Sequence, residues 1–399
     1  MQFVPIELYQ LVVDLLNNKS QVTLMSVSKN LYENIYINTI DNNQYLLSYC
    51  LNSVFQINNL RVLYANKQYN CYVIGQNEIS GLNLIYLNAS HNNNICDVSH
   101  MNNLKYLDAS YDSGIDQNGI NNLNLLVLYI ACNNKITDMS YMTNLKKLNI
   151  DCLDSELGIK NLDLRYLSAY DNNNIKDISS MTNLRTLDIS CESYDSNIGQ
   201  DNIKALDLVK LRASNNSKVF NLTHMTRLKK LDIGGSSGVG QGGIDNLLAL
   251  EYLNANSNSK IVDVNHLTML RKLEIYGECG VTQAGIVGLS LRSLYAANNS
   301  KIVNLSNMVT LKKLNISENS AVDQNGIQNL LLIKLDAYNN SKITNLSYMT
   351  TLTKLNIGWN CGVGQNGIEG LQLVKLYAWN NSKITNLSNM TTLKAIYIN

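Results

Sequence analysis

One proline, three phenylalanines and two tryptophans are all that 399 residues contain of these types. No apolar run approaches the roughly 18 residues that a membrane span requires, so no membrane contact is expected. The opening residues, MQFVPIELYQLV, lack the basic start and apolar core of a signal peptide. The expected compartment is therefore the cytoplasm. The eight cysteines include no C-x-x-C pair, and in a reducing compartment they read as buried or idle thiols instead of bridges. There is no G-x-S-x-G and no nucleophile and base pair. The glycine-rich stretch from Gly234 to Gly240 has no lysine with which to hold phosphate. Neither an enzyme nor a cofactor site is expected from such a chain.

What is present is repetition. From Leu60 onward the chain is built from two alternating half-units, shown by Leu332–Thr351 and Leu352–Gln372. In the first kind, here called A, apolar residues fall at positions 1, 4, 6, 12, 15 and 18, as in Leu332, Leu335, Ala337, Ile343, Leu346 and Met349. Position 9 of every A unit is asparagine, from Asn92, Asn133 and Asn172 through Asn216, Asn258 and Asn299 to Asn340 and Asn381. Its amide carries both donor and acceptor, so it is expected to bond the bend after each strand and the neighbours above and below. The B units carry Gly-Ile or Gly-Val and a further leucine on the side away from the strand, as at Gly326, Ile327 and Leu330. Position 4 is leucine in every unit of both kinds until Ile396.

A period near 20 residues with L-x-x-L-x-[A/I]-x-x-N resembles the leucine-rich repeats, in which each unit gives one short strand to a parallel sheet. The A units look like the compact internalin kind. The D/G-Q-N-G-I-x-x-L stretch of the B units resembles cysteine-containing leucine-rich repeats, where a short helix follows. The fold class so implied is an α/β solenoid, a horseshoe with a parallel concave sheet over 60–399. B units vary in length, and those from Leu60 and Leu184 are expected to bulge outward. His100, His224 and His266 share position 17 of A units, but A units alternate with B units, so the closest pair is about 10 Å apart at strand spacing. Two ligands of one zinc each lie about 2 Å from the metal, so no metal site is expected.

Residues 1–37 read differently. Pro5 suits a first helical position, and Leu8, Leu11, Val12, Leu15 and Leu16 form an apolar stripe. Pro5, Glu7, Leu8, Val12 and Leu16, then Leu24, Val27, Ser28, Lys29 and Leu31, match the outline L-P-x-E-[LIV]-x-x-x-[IL]-x-x-x-L followed by L-x-x-[VL]-[SC]-[KR]-x-[FLWY]. This segment resembles an F-box, although Val4 replaces the usual leucine and the linking turn has no Asp-Pro. The whole resembles F-box/leucine-rich-repeat proteins, and its asparagine-rich, tyrosine-rich style resembles those of giant DNA viruses of amoebae. That resemblance implies docking of Pro5, Leu8, Val12, Leu16, Leu24 and Val27 on the Skp-type adaptor of a cullin ubiquitin ligase, while the repeats hold a protein target. It also implies the host cytoplasm as the site of action. The alternative is a structural or virion-associated repeat protein whose N-terminal helices only cap the solenoid. Residues 38–59 fit neither pattern and are read as the remainder of the N-terminal cap, with a helix over Tyr45–Val54.

The target is expected on the concave face. Position 3 of the later strands is a lysine row that includes Lys334, Lys354 and Lys375, and position 5 offers Asp188, Asp232, Glu274 and Asp336 to neutralise part of it. With a net charge of +1, an acidic protein partner is expected in preference to nucleic acid. Tyr276, Tyr295, Tyr338, Tyr377 and Trp379 are read as outward strand residues, with Trp359 just after a strand. Large aromatic side chains of this kind anchor protein interfaces. The strand from Lys394 to Ile398 offers unpaired backbone groups, and a homodimer through this edge is expected.

Overall fold

In the computed structural model the described residues are 39–40, 60–66, 74–154, 158–192 and 196–398. They belong to two compact parts, residues 1–184 and 185–399. The F-box-like segment and Tyr45–Val54 lie outside the described residues, as do 67–73 and 193–195, where the two bulges were expected.

The first part carries β1 (Thr39–Ile40), β2 (Val62–Tyr64), β3 (Tyr86–Asn88), β4 (Tyr106–Asp108), β5 (Val127–Tyr129), β6 (Lys147–Asn149) and β7 (Tyr166–Ser168). Each is parallel to the next and hydrogen-bonded to it. The second part carries β8 (Thr186–Asp188), β9 (Lys210–Arg212), β10 (Lys230–Asp232), β11 (Tyr252–Asn254), β12 (Lys272–Glu274), β13 (Ser293–Tyr295), β14 (Lys313–Asn315), β15 (Lys334–Asp336), β16 (Lys354–Asn356), β17 (Lys375–Tyr377) and β18 (Ala395–Tyr397). These too pair in parallel and in chain order. From β2 onward every strand is centred on position 4, and leucine faces leucine across each of these pairs until Leu376 meets Ile396. The strand β1 was not visible in the repeat pattern.

Period-two alternation sends positions 4 and 6 inward and positions 3 and 5 outward. Leu335 and Ala337 are fully buried, as are Ile343 and Leu346 on the return leg. The return leg departs from the expected helix. Among the described residues the other B-unit helices, apart from the one-turn α1 (Gln76–Ile79) and α2 (Gln200–Ile203), are short 3-10 turns, as at Asn118–Ile120 and Asn325–Ile327. With each unit near 20 residues, the chain between position 9 and the next strand is too short to hold a longer helix and still return to the sheet.

The asparagines explain the alternation. All eight are buried. The Nδ2 of Asn258 donates to the carbonyls of Ile233 and Val239 at 2.8 and 3.1 Å, and its Oδ1 accepts the Lys260 N–H at 3.0 Å. Asn92, Asn133, Asn216, Asn340 and Asn381 repeat this scheme. Every such carbonyl belongs to the preceding B unit. The side chains therefore do not reach both neighbours, as the sequence suggested; the following B unit is met by the backbone carbonyl instead, which accepts the Gly362 N–H from Asn340 at 3.1 Å. There the backbones come very close. A Cβ on Gly362 would lie 2.3 Å from the Ser341 carbonyl oxygen, and one on Gly367 2.5 Å from that of Thr344. B-to-A junctions are clipped by side chains, whereas A-to-B junctions depend on absent ones.

Other columns strengthen the B-to-A clip. Glutamine at B position 14 acts as a second backbone: Gln283 Oε1 accepts the N–H groups of Val303 and Asn304 at 2.9 Å, and its Nε2 donates to the Asn304 carbonyl at 2.8 Å. Gln76, Gln117, Gln200, Gln241, Gln324 and Gln365 do the same. Lysine at A position 11 reaches a B-unit carbonyl, as from Lys301 to Cys279 at 2.8 Å. The three recurrent histidines belong to this set, each with Nε2 within 3.2 to 3.3 Å of a carbonyl of Ile79, Ile203 or Ile244.

Replacing Asn299 with alanine strands the buried Ile275 carbonyl and the N–H groups of Lys301 and Ile302. The expected loss is about 1 to 3 kcal/mol. Its neighbour Asn298 is exposed and has φ +51°, so the matched control is Asn298→Gly, expected to change stability by less than about 0.5 kcal/mol. Urea melts of the two variants check this, and equal midpoints would contradict it.

Candidate binding face

The sheet face is divided between residues that serve the fold and residues that do not. Position 5 serves the fold. The Oδ1 atoms of Asn88, Asp108, Asp188, Asn254, Asn315, Asp336 and Asn356 accept the N–H of position 7, closing the turn after the strand. Position 8 takes a left-handed backbone whatever its side chain, as at His91 (φ 56°), Cys132 (56°), Glu318 (60°) and Trp359 (58°). Its N–H donates to the position 7 carbonyl of the next unit, for example from Trp359 to Trp379 at 2.6 Å, and this bond offsets the strain. Position 3 has no such recurrent duty.

The predicted lysines come together. Lys313, Lys334, Lys354 and Lys375 face one another in register on β14 to β17. Among the described residues none of the four enters an ion pair. Lys334, Lys354, Lys375 and Tyr377 line one recess with Asp336 and Asn356. Two ion pairs lie on the earlier strands. There Arg212 pairs with Asp188 at 3.4 Å and Lys272 with Glu274 at 2.7 Å. The Lys272 ammonium also lies 4.8 Å from the Tyr252 ring centre and 5.0 Å from that of Tyr295. Among the described residues Asp336 makes no ion pair with its row; its Oδ1 accepts the Tyr338 N–H at 3.2 Å. Burial pushes this carboxyl up, despite the opposing backbone hydrogen bond and the charge of Lys334.

The aromatics need one correction. Tyr295 and Tyr377 are strand residues, but Tyr276, Tyr338 and Trp379 sit at position 7, two residues past the ends of β12, β15 and β17. They form a ridge at the edge of the sheet. Trp359 and Trp379 are 49% and 54% exposed, far more than a packing role requires. Tyr338 meets Trp359 edge-on with centroids 6.4 Å apart, and Tyr377 stacks on Tyr397 at 4.5 Å. Gly358 allows this arrangement, since a Cβ there would come within 3.2 Å of the Tyr338 ring. Tyr276 follows β12 and Tyr295 lies on β13, apart from the group that Tyr338, Trp359, Tyr377, Trp379 and Tyr397 make on β15 to β18.

A second aromatic strip, in the first part of the chain, escaped the sequence reading. Tyr64, Tyr86, Tyr106 and Tyr129 form a continuous contact series, with centroids 5.0, 4.0 and 5.5 Å apart. Burial pushes the Tyr86 hydroxyl up to about 12. Its signal was tyrosine at position 3 or 5 of four successive strands, in a chain where tyrosine is common.

The architecture is that of a leucine-rich-repeat solenoid. No protein-family model matches the chain, and no curated protein matches it as a relative. Three solved structures are similar. An internalin, InlF, from Listeria monocytogenes is 18% identical over 88% of this chain and 92% of its own, with a TM-score of 0.37. A chain of the yeast Rad7 and Elc1 complex is 17% identical over 73% and 80%, with a TM-score of 0.46. A chain of the mouse RP105/MD-1 complex is 13% identical, with a TM-score of 0.45; the match covers 91% of this chain and 65% of that one. These likenesses are distant, and the fold assignment rests on the strand register and the repeat columns.

The raised Asp336 carboxyl gives a pH test. A carboxyl whose folded pKa lies above its unfolded value favours folding only while protonated, and that contribution is lost as pH rises. The flanking strands carry Asn315 and Asn356 at the same position. Asp336→Asn is therefore expected to raise the melting temperature near pH 7. The gain should shrink below about pH 4, where an unfolded aspartate is itself protonated. Melts at both pH values check this, and an equal shift at both would remove burial as the cause.

Proposed function

We propose that this chain is a non-enzymatic binding scaffold whose repeat face holds a protein target and whose residues 1–37 dock a Skp-type adaptor of a cullin ubiquitin ligase. The observation that carries the target half is the exposure of Trp359 and Trp379 beside a lysine row that, among the described residues, enters no ion pair. Exposed tryptophan next to tyrosine is the composition of an interface anchor, and the lysine row beside it attracts an acidic partner. Tyr338, Tyr377, Lys334, Lys354 and Lys375 complete that surface. The adaptor half rests on the F-box-like motif alone, with Pro5, Leu8, Val12, Leu16, Leu24 and Val27 as the contact residues.

Each half has its own test. Trp379→Ala is expected to weaken target capture about 30-fold, the effect of losing a central aromatic anchor worth about 2 kcal/mol, with no change in melting temperature. Capture equal to that of the parent would move the target elsewhere. For the adaptor, Leu8→Asp with Leu24→Asp in the full chain is expected to abolish binding of the host Skp-type protein in a pull-down. Undiminished binding would show that residues 1–37 are no F-box.

A further inference from the structure

The lysine row and the aromatic ridge run side by side, and their spacing specifies a partner. Four ammonium groups project from adjacent strands spaced about 4.8 Å, so the row spans about 14 Å from Lys313 to Lys375. The ridge of Tyr338 and Trp379 lies four residues beyond Lys334 and Lys375, about 13 Å away along the strand direction. An α-helix with its side chains is about 10 to 12 Å across, which matches that width. Carboxylates on one helix stripe, stepping by four, three and four residues, span about 16 Å at 1.5 Å per residue. On one face of an extended peptide, four carboxylates two residues apart span about 20 Å. The helix stripe exceeds the row by about 2 Å and the extended peptide by about 6 Å, so the helix matches the row more closely.

From this we infer that the occupant of the face is an amphipathic α-helix laid across β14 to β17. Its acidic stripe faces Lys313, Lys334, Lys354 and Lys375, and its apolar stripe rests on Tyr338, Trp359 and Trp379. The inference builds on the reading of this face as the target site and names the target's chemistry. The charge pattern fits a helix better than a nucleic-acid strand. Asp336 and Glu318 lie beside the row, where a continuous phosphate backbone would meet them, while a helix presents acids only at chosen positions. The rings of Tyr377 and Tyr338 are taken up by Tyr397 and Trp359, which leaves few free faces on which bases could stack.

The test uses the full chain and a labelled, helix-stabilised synthetic peptide of about 15 residues, with four glutamates at that spacing and leucine and phenylalanine on the adjoining stripe. The controls are an isomer of scrambled order and an oligouridylate. The helical peptide is expected to bind at least about tenfold tighter than its isomer at low salt, and the preference to fall as salt rises. Lys334→Glu with Lys354→Glu should weaken it about 30-fold or more, and a peptide with lysine for glutamate should bind that variant in its place. Both positions are exposed, and recovery by the charge-swapped peptide separates lost contact from lost fold. Equal binding of peptide and isomer, tighter binding of oligouridylate, or no binding would each overturn the helix. If the peptide fails while Trp379→Ala still loses the target, the helical partner is wrong and the target surface stands.

Discussion

Everything in this solenoid depends on giving donors to carbonyls that the strands leave buried. At the end of each B strand the chain turns inward, and the carbonyls of residues such as Ile233 and Val239 face a neighbour with no backbone N–H in reach. A buried carbonyl without a partner costs about 1 to 3 kcal/mol, and a stack of identical turns would incur it at each level. The asparagine of the following A unit supplies two donors from one side chain and uses its oxygen to close its own bend. Aspartate has no donor to give, and glutamine is a methylene too long for a site closed on all sides. One asparagine satisfies two half-units, and the repeat is therefore two half-units long.

The same economy accounts for the glycines. Once the asparagine has reached backward, only its backbone carbonyl is left for the unit ahead, and the Gly362 N–H can approach it only without a Cβ. The A-to-B junction is thus held by close backbone contact and by the leucine columns. The B-to-A junction adds glutamine, lysine and histidine clips. These outer clips are solvent-exposed, so each contributes less than a buried asparagine; their effect accumulates through repetition.

How far this was legible in the sequence follows from burial. Leucine at position 4 and asparagine at position 9 are buried, their environment tolerates little else, and their columns show the strand register without coordinates. The glutamine clasp is exposed, and Gln283 read alone looks like any polar surface residue. The left-handed position 8 was hidden for a different reason. It is imposed by a backbone hydrogen bond to the next unit, so histidine, cysteine, glutamate and tryptophan all occur there and no residue type marks it. Asp336 beside lysines suggests an ion pair, but the hydrogen bond by which one of its oxygens closes the turn leaves no mark in the sequence. The lysines were found by their column, but the ridge was placed on the strands because the corner after position 6 leaves no mark in the sequence.

Counting duties column by column leaves a short list for function. Positions 1, 4, 6 and 12 fill the core, 5 closes a turn, 8 turns the corner, and 9 and 14 join units; on the sheet face the side chains of position 3 carry no recurrent duty of this kind. That column holds the lysine row, and the exposed aromatic residues lie beside it at positions 7 and 8. Like charges facing each other across strands are destabilising, by roughly 0.2 to 1 kcal/mol per pair, and three adjacent pairs from Lys313 to Lys375 place about 1 to 3 kcal/mol of repulsion on one face. Strand β12 shows that the fold can relieve such repulsion, since Lys272 has an acidic partner in Glu274. On β14 to β17 it is left unrelieved, beside tryptophans left in water. A surface that keeps both penalties while free is one whose charges and rings meet their complement in a partner.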